Sequence, residues 1–288
     1  MNRIFNAAIA AIALTLPAWT TPALAQQRFT ATVTGQGPDV ILIPGLASSG
    51  DVWDATVKQL SPTHRVHVIQ VSGFAGAPAG ANAEGEVIKP LAAEIAAYAA
   101  KLDHPAIIGH SIGGLMALEI AAAKPDSLSR VMVVDALPFY SLLYGPTATA
   151  EAALPFAEQA RTQILAMPDD KFAAAQTQTM AMMSNTEATR PTLVDWSVRS
   201  DRHVMAQAMY DAMIDDARPL LPAIKAPVTV LYAWDATMGQ PQELADDTFQ
   251  GAYAGLPTAK LTRIDGSFHF IMLDQPAAFA AAVTAFLN

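Results

Sequence analysis

The sequence predicts an α/β fold in which a mostly parallel central sheet carries helices on both faces and a helical cap is inserted before the last strands. Short apolar runs alternate with helical stretches along most of the chain, as in a parallel sheet with crossover helices. The alternation pauses between about residues 137 and 221, where the composition is helical. It then resumes with two strands and a final amphipathic helix.

The predicted strands are short runs rich in β-branched and apolar residues. Residues 40–43 (VILI) are uninterruptedly apolar, which is typical of a strand buried on both faces. Residues 28–34 alternate in character and are expected to form an edge strand. The remaining predicted strands are 65–71, 106–108, 131–134, 228–232 and 261–264.

The predicted helices occupy the segments between these strands. Asp51 is suited to cap a helix that continues to Leu60. Prolines at 219, 222 and 227 mark the return from the helical segment to the sheet. We therefore expect residues 137–221 to form the cap and residues 26–136 and 222–288 to form the core. The other predicted helices are 84–102, 115–123 and 276–287.

The composition bounds the class of protein. In 288 residues, 52% are hydrophobic and 15% are charged, which suits a large core and argues against disorder. The net charge is −9 and no basic run occurs, so we expect no nucleic-acid partner. The chain has no cysteine, which excludes disulfides, thiolate metal sites and a cysteine nucleophile.

The N-terminus has the pattern of a signal peptide. Arg3 precedes an apolar stretch from Ile4 to Trp19, and Ala23 and Ala25 give the small-x-small pattern of a cleavage site. We expect cleavage after Ala25 and export to a bacterial periplasm or beyond. Pro17 ends the apolar run short of the ~18–20 residues that span a bilayer. No stable membrane insertion is expected after cleavage.

Residues 109–113 (GHSIG) match the G-x-S-x-G pattern of a nucleophile elbow. An apolar strand leads directly into this segment and a helix leads directly out of it, which is the context that such an elbow requires. The flanking glycines allow a sharp turn where neighbouring Cβ atoms would clash. Ser111 would then lie at a helix N-terminus, where the dipole favours developing negative charge. We predict Ser111 as the nucleophile of a serine hydrolase.

From about Val40 to its end, the chain resembles the α/β-hydrolase family, in particular bacterial esterase- and lactonase-like members with a helical cap. The resemblance implies an oxyanion hole built by the backbone N–H of Ile112, after the nucleophile, and by a loop after an earlier strand. Residues 44–49 (PGLASS) look like that loop, with the Leu46 N–H as the candidate. The family often has His before this Gly, whereas this chain has Pro44.

Of six histidines, His269 is the predicted general base. It follows the last predicted strand, and residues 267–276 (SFHFIMLDQP) are very similar to the family's catalytic-His loop. A serine hydroxyl is a weak nucleophile until such a base removes its proton. His110 adjoins Ser111, and its side chain is expected to point away from the site.

Two aspartates compete as the acid that orients His269. The chain order Ser–acid–His allows Asp235, after strand 228–232, and Asp135, after strand 131–134. Asp235 has the usual family position and is preferred. It is one residue early, however, because the family's Gly-x-x-Asp pattern, aligned on Ala233, places the acid at Ala236.

The helical cap should decide what is hydrolysed. It is rich in Met, whose side chains adapt to varied apolar surfaces; the methionines singled out as pocket or packing residues are Met180, Met182, Met183, Met205, Met209 and Met213. No evident site for a charged group occurs there. We expect an uncharged or weakly polar small-molecule ester or lactone as substrate, and no cofactor or metal. The oligomeric state is left open.

Other functions fit the same residues. A C–C bond hydrolase and a cofactor-free perhydrolase would use the same three side chains. From a different class, a binding module on a hydrolase scaffold also fits, since fold does not fix function. The presence of Ser, acid and His together favours an enzyme.

Overall fold

In the computed structural model, which describes residues 27–288, seven strands form one sheet in the order β1-β3-β2-β4-β5-β6-β7. Strand β1 pairs antiparallel with β3 at the edge, and every other neighbouring pair is parallel. The predicted α/β fold and the early edge strand are confirmed. The strands are β1 (Phe29–Thr34), β2 (Asp39–Ile43), β3 (Arg65–Val71), β4 (Ala106–His110), β5 (Arg130–Val134), β6 (Val228–Trp234) and β7 (Lys260–Asp265).

Ten α-helices occur in the described residues. They are α1 (Asp54–Leu60), α2 (Ile88–Ala99), α3 (Ile112–Ala123), α4 (Ala150–Ala166), α5 (Asp169–Met183), α6 (Arg190–Arg199), α7 (Arg202–Ile214), α8 (Gln242–Ala252), α9 (Ile271–Asp274) and α10 (Pro276–Leu287). Helices α4–α7, between β5 and β6, are called the cap helices below. None of the helices within residues 27–288 combines the length and the apolar character that crossing a bilayer requires.

The central strands are buried on both faces. In β2, Ile41 and Ile43 join a core cluster with residues of α2 and α3, whereas Val40 and Leu42 join a second cluster with residues of α10. Alternate residues of a strand face opposite sides of the sheet. The unbroken apolar run 40–43 therefore reflects two cores, one on each side.

Helix α2 begins four residues later than the pattern predicted. A 3-10 helix occupies residues 80–83, and the Asp211 carboxylate of α7 accepts hydrogen bonds from the N–H groups of Val87 and Ile88 at 2.7 and 3.2 Å. A carboxylate at a helix N-terminus satisfies amides that lack a partner within the helix. A residue 123 positions away thus sets where the helix starts, which local composition does not reveal.

Candidate active site

The carboxyl ends of four parallel strands bring the predicted site residues together. Ser111 follows β4, Asp135 follows β5 and His269 follows β7, while the loop with Leu46 follows β2. Because parallel strands end at the same edge of a sheet, this is where α/β folds collect their functional groups. In residues 27–288, no group of three or more His, Asp or Glu side chains is arranged to hold a metal ion.

Ser111 occupies a strained turn between β4 and α3. Its φ of 55° and ψ of −130° are unusual for a residue with a side chain, and such a conformation costs on the order of 1–3 kcal/mol. The turn is possible because its neighbours are glycines. A Cβ on Gly109 would lie 2.1 Å from the carbonyl oxygen of Gly113, and one on Gly113 would lie 2.4 Å from that of Ile43. The Ser111 side chain makes no capping hydrogen bond to α3.

The loop after β2 passes directly beside the serine. A Cβ on Gly45 would lie 3.0 Å from Ser111 Cβ and 2.9 Å from His110 Nδ1, so only glycine admits this close approach. The next residue is Leu46, and Ala47 has a left-handed φ of 54°. Ile112 opens α3, and the first amides of a helix have no partner within it. Of the two predicted oxyanion donors, Ile112 therefore adjoins the serine in the chain, and Leu46 follows the glycine that lies against the serine.

Asp135, not Asp235, is the hydrogen-bond partner of His269. The distance from His269 Nδ1 to Asp135 Oδ2 is 2.7 Å, and the second carboxylate oxygen accepts from the Ala233 N–H at 2.8 Å. An Nδ1–H that donates to the carboxylate leaves Nε2 unprotonated and able to accept a proton. Asp135 is also strained, with φ of 48°.

The preference for Asp235 was wrong. Its carboxylate caps the short 3-10 helix that follows β6, where it accepts from the backbone N–H and the hydroxyl of Thr237. These hydrogen bonds, with one from Asn185, lower the pKa of Asp235. The carboxylate is thus held on its own loop, away from His269. In the sequence, the feature that speaks against Asp235 is its one-residue offset from the family's Gly-x-x-Asp pattern.

His110 supports the His269 loop, contrary to the expectation that it points away from the site. Its Nε2–H donates to the His269 carbonyl oxygen at 3.0 Å, and the two rings lie 4.5 Å apart. Burial, with a smaller effect of His269, holds the pKa of His110 well below its usual range. His110 is therefore neutral and adds no second positive charge beside the imidazolium that catalysis would form.

The Ser111 hydroxyl contacts a residue that the sequence did not single out. The Tyr140 hydroxyl lies 3.5 Å from Ser111 Oγ, whereas residues 27–288 show no hydrogen bond between Oγ and His269. In unliganded enzymes such bonds are often long and tighten when substrate binds. The ring of His269 nevertheless lies against His110, the residue directly before Ser111.

The cap helices contact the loop after β2 through apolar side chains. Phe172 of α5 and Met205 of α7 form a small buried cluster with Ala47, and Leu46 packs against it. Met180 is also buried, whereas Met182 is 66% exposed. The methionines of the cap thus divide into packing residues and surface residues, and Met205 packs with Ala47 of the candidate oxyanion loop.

Known proteins resemble this chain in sequence and in fold. The profile of the Alpha/beta hydrolase family matches residues 40–282. A pimeloyl-(acyl-carrier protein) methyl ester esterase of Aeromonas hydrophila is 34% identical over 106 residues, 37% of this chain and 41% of that protein. The chain thus matches about two fifths of that relative's length. Its counterpart in Aliivibrio fischeri is 29% identical over 204 residues, 69% of this chain and 75% of that protein.

Among solved structures, the enol-lactonase from Burkholderia xenovorans superposes with a TM-score of 0.72. The superposition covers 90% of this chain and 96% of that one, at 19% sequence identity. At this identity, the likeness concerns the fold.

Proposed function

We propose, from the premise that this chain belongs to the alpha/beta hydrolase family, that it is a serine hydrolase that cleaves carboxylic esters or lactones through an acyl-enzyme on Ser111. The observation that carries the proposal is the 2.7 Å hydrogen bond between Asp135 and His269 at the strand ends beside the strained Ser111 turn. A Ser, a base and an acid that orients the base form the usual machinery of acyl transfer.

In the proposed reaction, Ser111 Oγ attacks the substrate carbonyl carbon while His269 Nε2 takes the hydroxyl proton. The Asp135 carboxylate stabilises the imidazolium that forms. The Leu46 and Ile112 N–H groups donate to the oxyanion of the tetrahedral intermediate. The alcohol then leaves with the proton from His269. Water, activated by the same imidazole, hydrolyses the acyl-enzyme and restores Ser111.

The apolar side chains beside the candidate oxyanion loop support the proposed substrate class. Leu46, Phe172 and Met205 pack with Ala47 of that loop, and none of them could pair with a charged substrate group. The relatives reported above are named as methyl ester esterases and an enol-lactonase, which supports an uncharged or weakly polar ester or lactone as substrate.

The test is a panel of p-nitrophenyl esters of increasing acyl length and of lactones of increasing ring size, assayed with the wild type and Ser111→Ala. We expect turnover of at least one class by the wild type and a loss of ~10⁴-fold or more in the variant. A fluorophosphonate probe should label the wild type and not the variant. Absence of both turnover and labelling in folded wild type would support a binding module instead.

We further propose that the chain is exported and that its signal peptide is cleaved between Ala25 and Gln26. The predicted signal peptide, residues 1–25, lies outside the described residues, and its basic start, apolar stretch and small residues at 23 and 25 support the proposal. Expression of the full chain in a bacterial host, followed by fractionation and mass determination, should give a periplasmic protein that begins at Gln26. Ala25→Arg should keep the segment attached. An intact N-terminus in the cytosol would contradict export.

A further inference from the structure

Tyr140 reaches the candidate site from the same strand end as Asp135, the hydrogen-bond partner of His269. It begins a 3-10 helix, Tyr140–Tyr144, five residues after Asp135. This helix is fixed to the cap because Ser141 Oγ donates to the Met213 carbonyl oxygen of α7 at 2.6 Å. Phe139, directly before this helix, and Leu142, within it, have buried side chains. Tyr140 is thus presented by a well-packed element.

The hydroxyl of Tyr140 is close enough to touch the reacting atoms. Its 3.5 Å distance from Ser111 Oγ exceeds the 2.5–3.0 Å typical of a strong O–H···O hydrogen bond. A hydroxyl at this distance is not committed to the serine. It can donate instead to an oxygen of a substrate that has bonded to Oγ.

The order of the sheet decides which substrate oxygen that is. Strand β4, which carries Ser111, lies between β2 and β5. The candidate oxyanion loop approaches from the β2 side, where Gly45 adjoins the serine. Asp135 and Tyr140 both follow β5, and Asp135 brings His269 with it. The oxyanion and the leaving group of a tetrahedral intermediate point in different directions, and His269 must reach the leaving group to protonate it. Tyr140 therefore lies on the leaving-group side.

Tyr140 remains a neutral donor at this position. Burial raises the pKa of its hydroxyl, the contact with the Ser111 hydroxyl opposes this increase in part, and the negative charge of Asp135 adds a smaller increase. A phenol that stays protonated can donate a hydrogen bond throughout the reaction. It is not a second base that competes with His269.

We propose that the Tyr140 hydroxyl donates a hydrogen bond to the leaving-group oxygen while the acyl-enzyme forms, an inference that rests on the proposed ester hydrolysis at Ser111. As the bond from carbon to this oxygen breaks, the electron pair passes to the oxygen and His269 Nε2 gives it a proton. Tyr140 keeps its own proton and stabilises the charge that develops before the transfer is complete. Such a donor acts on the transition state more than on the bound ester.

The test compares Tyr140→Phe with the wild type on esters of one acyl chain that differ in the alcohol: p-nitrophenyl, phenyl and methyl. The quantity is kcat/KM, which reports acylation. A p-nitrophenolate leaves without help, whereas methoxide needs a donor and a proton. We expect a loss of ~10–100-fold for the methyl ester and at most ~3-fold for the p-nitrophenyl ester. The matched control is Tyr144→Phe, in the same 3-10 helix with a side chain 77% exposed, which should leave all three values unchanged.

The decisive readout is the ratio of methyl to p-nitrophenyl kcat/KM within one preparation, because partial misfolding lowers both values equally and leaves their ratio unchanged. A lowered ratio supports the proposal. An equal loss on all esters would show that Tyr140 only positions Ser111, and no loss would show that it has no role; either result overturns the proposal. If the wild type and Ser111→Ala hydrolysed esters at the same rate, the proposed function would be refuted instead, and the role of Tyr140 with it.

Discussion

At the scale of single residues, two aspartates at the ends of neighbouring strands have separate tasks. Asp135 has a left-handed backbone and holds the His269 imidazole, while its other oxygen is fixed by the Ala233 N–H. Asp235 stabilises a turn of its own loop. The two side chains have the same chemistry, and backbone geometry alone assigns the role.

Replacement of Asp135 by Asn should lower kcat by ~10³–10⁴-fold, because an amide in place of the carboxylate no longer fixes the imidazole tautomer or stabilises the imidazolium. The matched control is Asp235→Asn, for which we expect kcat within ~2-fold of the wild type. Steady-state kinetics on the best ester of the panel measures both. The reverse ranking would restore Asp235 as the orienting acid.

The sequence singled out Ser111 and His269 as candidates because both lie in segments whose pattern is local. The glycines of G-x-S-x-G stand at fixed positions within five residues, although Gly113 is also required by its approach to Ile43, and the His loop is a continuous segment. The acid is different, since it is defined by which strand end reaches the imidazole. Tyr140 and His110 act through contacts with residues 29 and 159 positions away, and no local pattern marks either.

At the scale of elements, the Asp274 carboxylate of α9 joins the His269 loop to the cap. It accepts from the Phe268 N–H at 2.9 Å and, from the segment after α5, from Ser184 Oγ at 2.6 Å and the Asn185 and Thr186 N–H groups at 3.1 and 3.2 Å. The Phe270 N–H donates to the Met183 carbonyl oxygen nearby. The base is therefore held from two sides, by Asp135 and by the cap.

Asp274→Ala should lower both stability and kcat. Four donors lose the Asp274 carboxylate, and of these the Thr186 N–H keeps Ser184 Oγ as a second acceptor at 3.2 Å. Loosening the His269 loop should reduce kcat by ~10-fold or more, since small misplacements of a catalytic group are costly. Thermal melts and kinetics measure the two effects, with Asp247→Ala on the exposed face of α8 as control. If Asp274→Ala melted earlier but kept the wild-type kcat, the carboxylate would only stabilise the fold.

The cap side chains should set the preferred acyl length. Met205 is 5% exposed and packs with Phe172 beside the candidate oxyanion loop, so Met205→Ala should open space there. We expect the kcat/KM optimum on the p-nitrophenyl panel to move to longer acyl chains. Met182→Ala, at a surface position of α5, is the control. An unchanged optimum in Met205→Ala would place the acyl chain elsewhere.

At the scale of the whole molecule, a buried carboxyl pair connects the core to the cap. Glu119 lies on α3, behind the nucleophile, and Asp215 follows α7 at the end of the cap helices. Within residues 27–288, Glu119 Oε2 and Asp215 Oδ2 are both buried without a hydrogen-bond partner, and Lys89 of α2 lies 3.2 Å from Asp215 Oδ1. A proton on Glu119 would let it donate to Asp215 and remove the repulsion.

Burial, together with Asp215, raises the pKa of Glu119 to about 9. The folded protein therefore binds one more proton than the unfolded chain between the ordinary Glu pKa and about 9. The stability from this proton is complete at low pH and is lost as pH rises through that window. The free energy of unfolding should fall by up to ~1.4 kcal/mol per pH unit from this group.

Denaturant unfolding from pH 6 to pH 9 tests this expectation. Glu119→Gln should flatten the pH dependence, because its amide donates to Asp215 without titrating. Glu243→Gln, at an exposed position of α8, should keep the wild-type slope. Parallel curves for the wild type and Glu119→Gln would mean that Glu119 is ionised in the folded protein at neutral pH.

The hydrogen bond between Asp135 and His269 spans 134 positions of the chain. During synthesis, the strands that carry the serine and the acid leave the ribosome long before β7 and the segment with His269. The serine can occupy its turn early, but under the proposed function it has no general base until the segment with His269 has emerged. A chain that stops before His269 should therefore not hydrolyse esters, whatever other parts of the fold it has formed.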